Sequence, residues 1–221
     1  MFFPTSTIGR KIIMAITGQI LVAFILFHIV GNSTFFFHKL NAYVVALHRL
    51  PVLVWAGRLV LAAAFILHAI YGVVLKLENA GAKSRPYAIT AYSHATFAGR
   101  NQVWSGAFIG AFLIYHLLHF TFQVTDTVYA ANLHPDLLGR PDVFHMVLQS
   151  FQRTSTAIAY ILGVAFLALH LLHGVQSSFQ TLGLNNERTL PVIEQTGAVT
   201  SLLLFFWYAA IPAMIVLGFL K

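Results

Sequence analysis

Apolar residues do not alternate with polar ones along this chain. They run almost unbroken in five stretches, residues 11–31, 53–76, 103–124, 156–176 and 199–220. Each is long enough, as a helix rising about 1.5 Å per residue, to cross a hydrocarbon core of about 30 Å. Between them lie polar turn formers: Gly31-Asn32-Ser33, Ser84-Arg85-Pro86, His134-Pro135-Asp136 and Gly183-Leu184-Asn185-Asn186. No connection is long enough for a separate domain. The pattern predicts an all-α membrane protein, one membrane domain over residues 1–221, with five transmembrane helices and the two termini on opposite sides. The first stretch outruns a signal-peptide core, and no small-residue cleavage site follows Gly31, so it is the first transmembrane helix.

Composition agrees and narrows the chemistry. Hydrophobic residues make up 58% of the chain and charged ones 9%, a balance of bilayer-embedded proteins. There is no cysteine, which removes disulfides, iron-sulfur ligation and thiolate catalysis and leaves histidine to hold any metal. The 13 Lys and Arg outnumber the 6 Asp and Glu, yet they flank the apolar runs and form no stripe, which argues for membrane flanking and against nucleic acid as a partner. Arg10, Lys11, Lys76, Lys83, Arg85, Arg100 and Arg188 fall on the N-terminal side, Lys39, Arg49, Arg58, Arg140, Arg153 and Lys221 on the other. The bias toward an inside N-terminus is small.

An internal repeat adds what hydropathy does not. Thr17-Gly18 in the first stretch is followed by Phe27-His28, and Ser105-Gly106 in the third by Tyr115-His116 at the same spacing. His68 in the second stretch precedes Gly72 by four residues, as His170 in the fourth precedes Gly174. Stretches one and three match, as do two and four.

Six of the eleven histidines lie inside the predicted spans, where an ionisable group is costly and usually faces the bundle interior. An interhelical hydrogen bond explains any one of them alone; four at matched positions ask for more. Two axial ligands of one iron must sit at one depth. His28 lies ~26 Å beyond Lys11 and His116 ~24 Å beyond Arg100 at the helical rise, while His68 precedes Lys76 by ~12 Å and His170 precedes Gln180 by ~15 Å. Two level pairs on alternate helices, offset by roughly 10 to 14 Å at that rise, are what two bis-histidine hemes b in a bundle of the first four helices require. Gly72 and Gly174 fall on nearly the same helical face as their histidines, and Gly18 and Gly106 lie near the depth of the opposite pair, where small residues clear room for a macrocycle. Ordinary small-residue helix packing explains the glycines as well. His119 and His173, three residues after His116 and His170, are rival ligands; the repeat favours His116 and His170 and leaves the other two to bond a propionate, a water or a quinone oxygen. A zinc site would draw on cysteine or carboxylate partners, which the spans do not offer. His38, His48, His94, His134 and His145 fall in connections, where a solvated loop role is expected.

Gly9-Arg10-Lys11-Ile12-Ile13-Met14-Ala15-Ile16-Thr17-Gly18, Phe27-His28 with Gly31-Asn32, Leu77-Glu78-Asn79, Tyr115-His116-Leu117-Leu118-His119-Phe120, and His170-Leu171-Leu172-His173-Gly174 with Phe179-Gln180-Thr181-Leu182-Gly183 occur in an order that resembles a known family. It is similar, over nearly the whole chain, to the diheme cytochrome b subunit of succinate dehydrogenases and fumarate reductases with a single five-helix anchor. The resemblance implies His28 and His116 as ligands of the heme distal to the soluble subunits, and His68 and His170 as ligands of the proximal one. It implies a flavoprotein subunit with FAD, an iron-sulfur subunit, and membrane quinone, commonly menaquinone, as the substrate this subunit meets. It also implies a multi-pass place in the bacterial cytoplasmic membrane, N-terminus and residues 76–100 facing the cytoplasm. Arg10, Lys11, Lys83, Arg85 and Arg100 are then candidates for docking the iron-sulfur subunit or pairing with heme propionates, against plain positive-inside flanking.

Some relatives in that family use a carboxylate within the membrane for quinol oxidation. Here the acid nearest a span is Glu78, and Asp126, Asp136 and Asp142 lie in the far connection. Two other classes share some of these features. A diheme anchor of a hydrogenase or formate dehydrogenase has buried histidines at different spacings. A histidine-lined transporter needs no heme but is expected to have interrupted helices or acid–histidine relays. The fifth stretch carries no ligand candidate, and Trp207, Tyr208 and Pro212 are expected to close the bundle against lipid.

Overall fold

A computed structural model describes residues 6–82 and 96–221 of the chain; Lys83, Arg85 and His94 lie outside the described residues. Among the described residues the chain is helical with no strand, and one isolated bridge pairs Pro135 with Pro141. The helices are α1 Thr7–Ser33, α2 Leu40–His48, α3 Pro51–Gly81, α4 Phe97–Arg100, α5 Gln102–His116, α6 Val143–Gln152, α7 Thr154–Thr181 and α8 Leu190–Val216. A single π turn, Leu117–Thr121, prolongs α5. Five helices are long and apolar enough to cross a membrane: α1, α3, α5 with its π turn, α7 and α8. This is the all-α, five-span architecture that the hydropathy pattern predicts. The end of the bundle where α1 begins is called the near end below, and the opposite one the far end.

The helix ends follow local chemistry. Ser6 caps α1 by accepting from the Gly9 amide at 3.0 Å, which satisfies one of the orphan amides of the first turn. Proline opens α3 and α8, where its missing N–H costs nothing. The fifth span therefore starts at Leu190, well before residue 199, because its first turns carry Glu194, Gln195 and Thr196 and do not register as apolar. It runs through Pro212 and ends before Gly218, which takes φ +77°. This extension also places a carboxylate within the fifth span that the sequence pattern did not: Glu194 accepts from Gln176 of α7.

α7 is the axis of the packing. It runs against α8 along most of its length and also touches α1, α5, α4 and α6. α3 packs along α1 and meets α5 only lightly. Only 11% of the most apolar window of each of the first three spans is buried, against 28% in α7 and 33% in α8, so the α7–α8 pair supplies the densest contacts. Polar bonds cross between helices where apolar packing cannot distinguish one register from another: Gln19 donates to Ser178, Trp207 Nε1 to Ser33 Oγ at 3.0 Å, and Tyr208 Oη to the Ile25 carbonyl at 2.7 Å. In membrane proteins such bonds are worth about 0.6 kcal/mol each.

The far end is closed by a cap that the sequence reading treated as loops. α2 and α6 form there as short helices, so His48 and His145 are helical and not loop residues. A cluster of Phe35, Leu40, Leu148, Phe151, Tyr160, Ile211 and Ile215 packs beneath them. Asn41 ties the two far connections together. Its Nδ2 donates to Asp142 Oδ1 at 2.9 Å and Asp136 Oδ2 at 3.2 Å, and its Oδ1 accepts from the Phe144 amide at 2.8 Å. Asp142 also caps α6 through the His145 amide and takes the His145 ring Nδ1 at 2.7 Å. Asp126, the third far-end carboxylate, pairs with Arg153 at 2.9 Å.

Hydrogen bonds from Arg140, chiefly its side chain, hold the Asp136 carboxyl well below the usual range. Burial pushes the Asp142 carboxyl up, but the bonds from Asn41 and from the amide and ring of His145 outweigh it and leave it lowered. Groups lowered on folding stabilise the fold above their unfolded value, about 4 for aspartate, and that stabilisation is lost as pH falls through the folded value. The cap is therefore expected to loosen below about pH 4, with the bundle persisting; amide exchange resolved over residues 34–48 and 126–152 reads this. Asp142→Ala removes the α6 cap and one of the Asn41 amide's two donor bonds, and is expected to cost about 2–3 kcal/mol in thermal unfolding. A cap equally protected at pH 3 and 7 would contradict the assignment.

Candidate histidine pairs in the bundle

The four repeat-matched histidines meet in two pairs. The His28 and His116 rings, from α1 and α5, have centroids 6.0 Å apart and planes at 88°. The His68 and His170 rings, from α3 and α7, stand 6.2 Å apart at 71°. Depth counting along the helices pairs the same residues. His119 and His173 join neither pair.

Why the rings face each other is clearest for the lower pair. His68 places Nδ1 2.9 Å from the Met14 carbonyl of α1. His170 places Nδ1 3.1 Å from Ser105 Oγ of α5, and that hydroxyl gives its single hydrogen to the Gln102 carbonyl at 3.0 Å. The Met14 carbonyl can only accept, so His68 donates from Nδ1, and the Ser105 hydroxyl, with its hydrogen toward Gln102, is placed to accept from His170 Nδ1 in the same way. Carbonyl or hydroxyl acceptors behind a ligating imidazole commonly fix its tautomer in this way. The two arrangements are related by the internal repeat: Met14 stands four residues before Gly18, and Gln102 four before Gly106.

The glycines of the repeat serve these rings. A Cβ on Gly18 would lie 3.1 Å from His68 Cε1, and one on Gly106 3.4 Å from His170 Cε1. They sit at the depth of the opposite pair, as expected, and the room they leave is taken by the imidazoles themselves. Gly72 is met only by Met14 Sδ at 4.0 Å, and Gly174 by Gln102 Nε2 at 3.3 Å.

The upper pair is set among aromatic rings. Phe24 and Tyr208 lie near-parallel to His28, at 5.3 and 6.1 Å, and Phe112, Phe120 and Tyr160 surround His116. His119, 4% exposed in the π turn, bonds Tyr160 Oη through Nδ1 at 2.9 Å and stacks on Phe120. π turns of this kind recur at functional sites. The His173 ring lies against Gly99, and its Nδ1 is buried with no hydrogen-bond partner among the described residues.

Of the cations, Arg10 is paired with Glu78 of α3, a partner that the sequence reading did not assign. Lys11 lines a near-end cavity of about 360 Å³ with Ile8, Ile12, Ser177, Gln180 and Thr181. Arg100 ends α4 and is exposed. The acid–histidine contact His145–Asp142 exists, but in the far cap and outside the spans.

The pairs fit bis-imidazole ligation. With metal–imidazole bonds of about 2.0–2.1 Å and about 1.1 Å from nitrogen to ring centroid, two imidazoles on opposite sides of one metal stand about 6.3 Å apart. Among the described residues no group of three or more His, Cys, Asp or Glu converges. A bare ion would thus find two protein donors in each place, whereas a heme iron, with four donors from its macrocycle, needs only two. No family model, no curated protein and no solved structure matches the chain.

Sequence reasoning found the four histidines but not what holds them. Ser105 was visible as a repeat marker beside Gly106, matching Thr17 beside Gly18. The Met14 carbonyl and the Tyr208 ring left no such signal. Gly163, which packs directly on the Phe112 ring, gives a test of this packing. Gly163→Ala is expected to destabilise by about 1–3 kcal/mol by displacing Phe112. Gly106→Ala, in ordinary contact, is expected to be neutral or to gain up to about 1 kcal/mol of helix propensity. Thermal unfolding in detergent ranks the two, and a Gly163→Ala protein as stable as the Gly106→Ala one would refute the packing.

Proposed function

We propose that this chain is the diheme cytochrome b membrane anchor of a succinate dehydrogenase or fumarate reductase. The observation that carries the reading is the meeting of His28 with His116 and of His68 with His170 at the separation a shared iron requires. The motif order supports the choice of family.

Bound hemes b supply one-electron carriers at two levels of the membrane, linking an iron-sulfur subunit to quinone. The chain's own residues hold and orient. His68 and His170 would hold the lower iron, with the Met14 carbonyl and the Ser105 hydroxyl behind them at Nδ1 to orient the rings. His28 and His116 hold the upper one among Phe24, Phe112, Tyr160 and Tyr208, which keep water from it. Arg10, by pairing with Glu78, fixes the near ends of α1 and α3, and Lys11 and Arg100 offer charge there for a propionate or for the iron-sulfur subunit. In this reading the near end faces the bacterial cytoplasm, succinate and fumarate are interconverted on the FAD of the flavoprotein subunit, and menaquinone is the membrane substrate.

The test is a reduced-minus-oxidised spectrum with pyridine hemochrome quantitation on the purified complex. Two hemes b per chain are expected, falling to one in each of His28→Ala, His68→Ala, His116→Ala and His170→Ala. His119→Ala and His173→Ala are expected to keep both. A colourless native protein would overturn the cytochrome reading in favour of a histidine-bearing transporter.

A further inference from the structure

We infer that α8, which contributes no histidine, sets the orientation of His28 through Tyr208. This rests on His28 and His116 being axial ligands.

Three observations converge on Tyr208. Its ring lies near-parallel to the His28 imidazole, with centroids 6.1 Å apart and planes at 29°. Its hydroxyl donates to the Ile25 carbonyl at 2.7 Å, on the turn of α1 that carries His28. The ring is thus fixed at both ends, by its own backbone on α8 and by the hydrogen bond to α1, and it has only two side-chain torsions to lose. Finally, neither ring nitrogen of His28 has a hydrogen-bond partner among the described residues, whereas His68 and His170 each have one at Nδ1. Orientation of His28 must come from packing.

The rings that provide it are few. Phe24 lies one turn back on α1 itself and moves with His28. His116, at 88°, is the facing ligand. Tyr208 is the restraint that comes from a helix outside the four that carry the pairs. Offset aromatic contacts of this kind are directional as well as apolar, so they can hold an imidazole plane and not only bury it. Tyr208 is therefore a positioning residue for the upper pair, and the fifth helix has a role in the site beyond closing the bundle.

A control sits beside it. Trp207 also bonds α8 to α1, through Ser33 Oγ at 3.0 Å, and packs on Phe36 without touching a histidine. A general docking role for α8 would make Trp207 and Tyr208 equivalent.

The experiment is low-temperature EPR of the oxidised, purified complex, in which the anisotropy of each low-spin ferric signal follows the angle between its two axial imidazole planes. Tyr208→Leu, which removes ring and hydroxyl, is expected to lower the largest g value of one signal and leave the other in place. Tyr208→Phe, which keeps the ring but frees it from Ile25, is expected to move the same signal by less, and Trp207→Phe to move neither. If Tyr208→Leu does not assemble, the Tyr208→Phe shift decides alone. Unmoved signals in the Tyr208 variants, or equal shifts in both signals shared with Trp207→Phe, would overturn the inference. A native complex without heme would instead overturn the cytochrome reading on which it stands.

Discussion

The bundle depends on how four imidazoles are accommodated at depths where water is absent. A polar ring there must spend its hydrogen-bonding atoms on the protein or on a ligand. For the lower pair, the helix that precedes each histidine supplies the partner: α1 gives a carbonyl to His68, and α5 a hydroxyl to His170. The ring can come close because the same helix has a glycine beside it: a Cβ on Gly18 would crowd His68 at 3.1 Å, and one on Gly106 would be in ordinary contact with His170 at 3.4 Å. The placement of His68 is thus a property of the α1–α3 contact and not of α3 alone.

That makes the helix pair the natural unit of the structure. α1 with α3, and α5 with α7, each combine a cradle on the first helix with a cradled histidine on the second, and each first helix carries a further histidine toward its far end, His28 five residues before Ser33 and His116 as the last residue of α5 before the π turn. Neither unit completes a pair by itself. His28 faces a ring from the other unit, and so does His68. Contacts within a unit place the Nδ1 atoms of His68 and His170, and docking of the two units brings the paired rings to 6.0 and 6.2 Å. α8 then packs on α7 and reaches across to α1, locking the docked arrangement.

Hydropathy and the helical rise were enough to find the five spans and to level the four histidines, because both depend only on position along an axis. What they could not show depends on azimuth or on short amphipathic elements. α2 and α6 are nine- and ten-residue helices lying in the cap, and their apolar residues read as loop. The polar first turns of α8 hid its start, and with it Glu194. Arg10 was visible as a cation, but its pairing with Glu78 needed the relative rotation of α1 and α3. The Tyr208–His28 contact joins a helix outside the repeat to one inside it, so no periodicity could have announced it.

The contrast between the two pairs follows from where helices end. The lower pair lies in continuous helix, where the Met14 carbonyl takes His68 beside the Thr17 hydroxyl, and the Ser105 hydroxyl meets His170. Around His28 the backbone is close to the end of α1, and side chains already claim its carbonyls: Tyr208 on Ile25, Asn32 on His28, Ser33 on Ile29 and Thr34 on Gly31. Around His116 the chain leaves α-helix for the π turn, and Tyr160, whose ring packs on His116, has its hydroxyl engaged with His119. Without such hydrogen-bond partners the upper imidazoles are oriented by aromatic packing, which the Phe24, Phe112, Phe120, Tyr160 and Tyr208 rings supply.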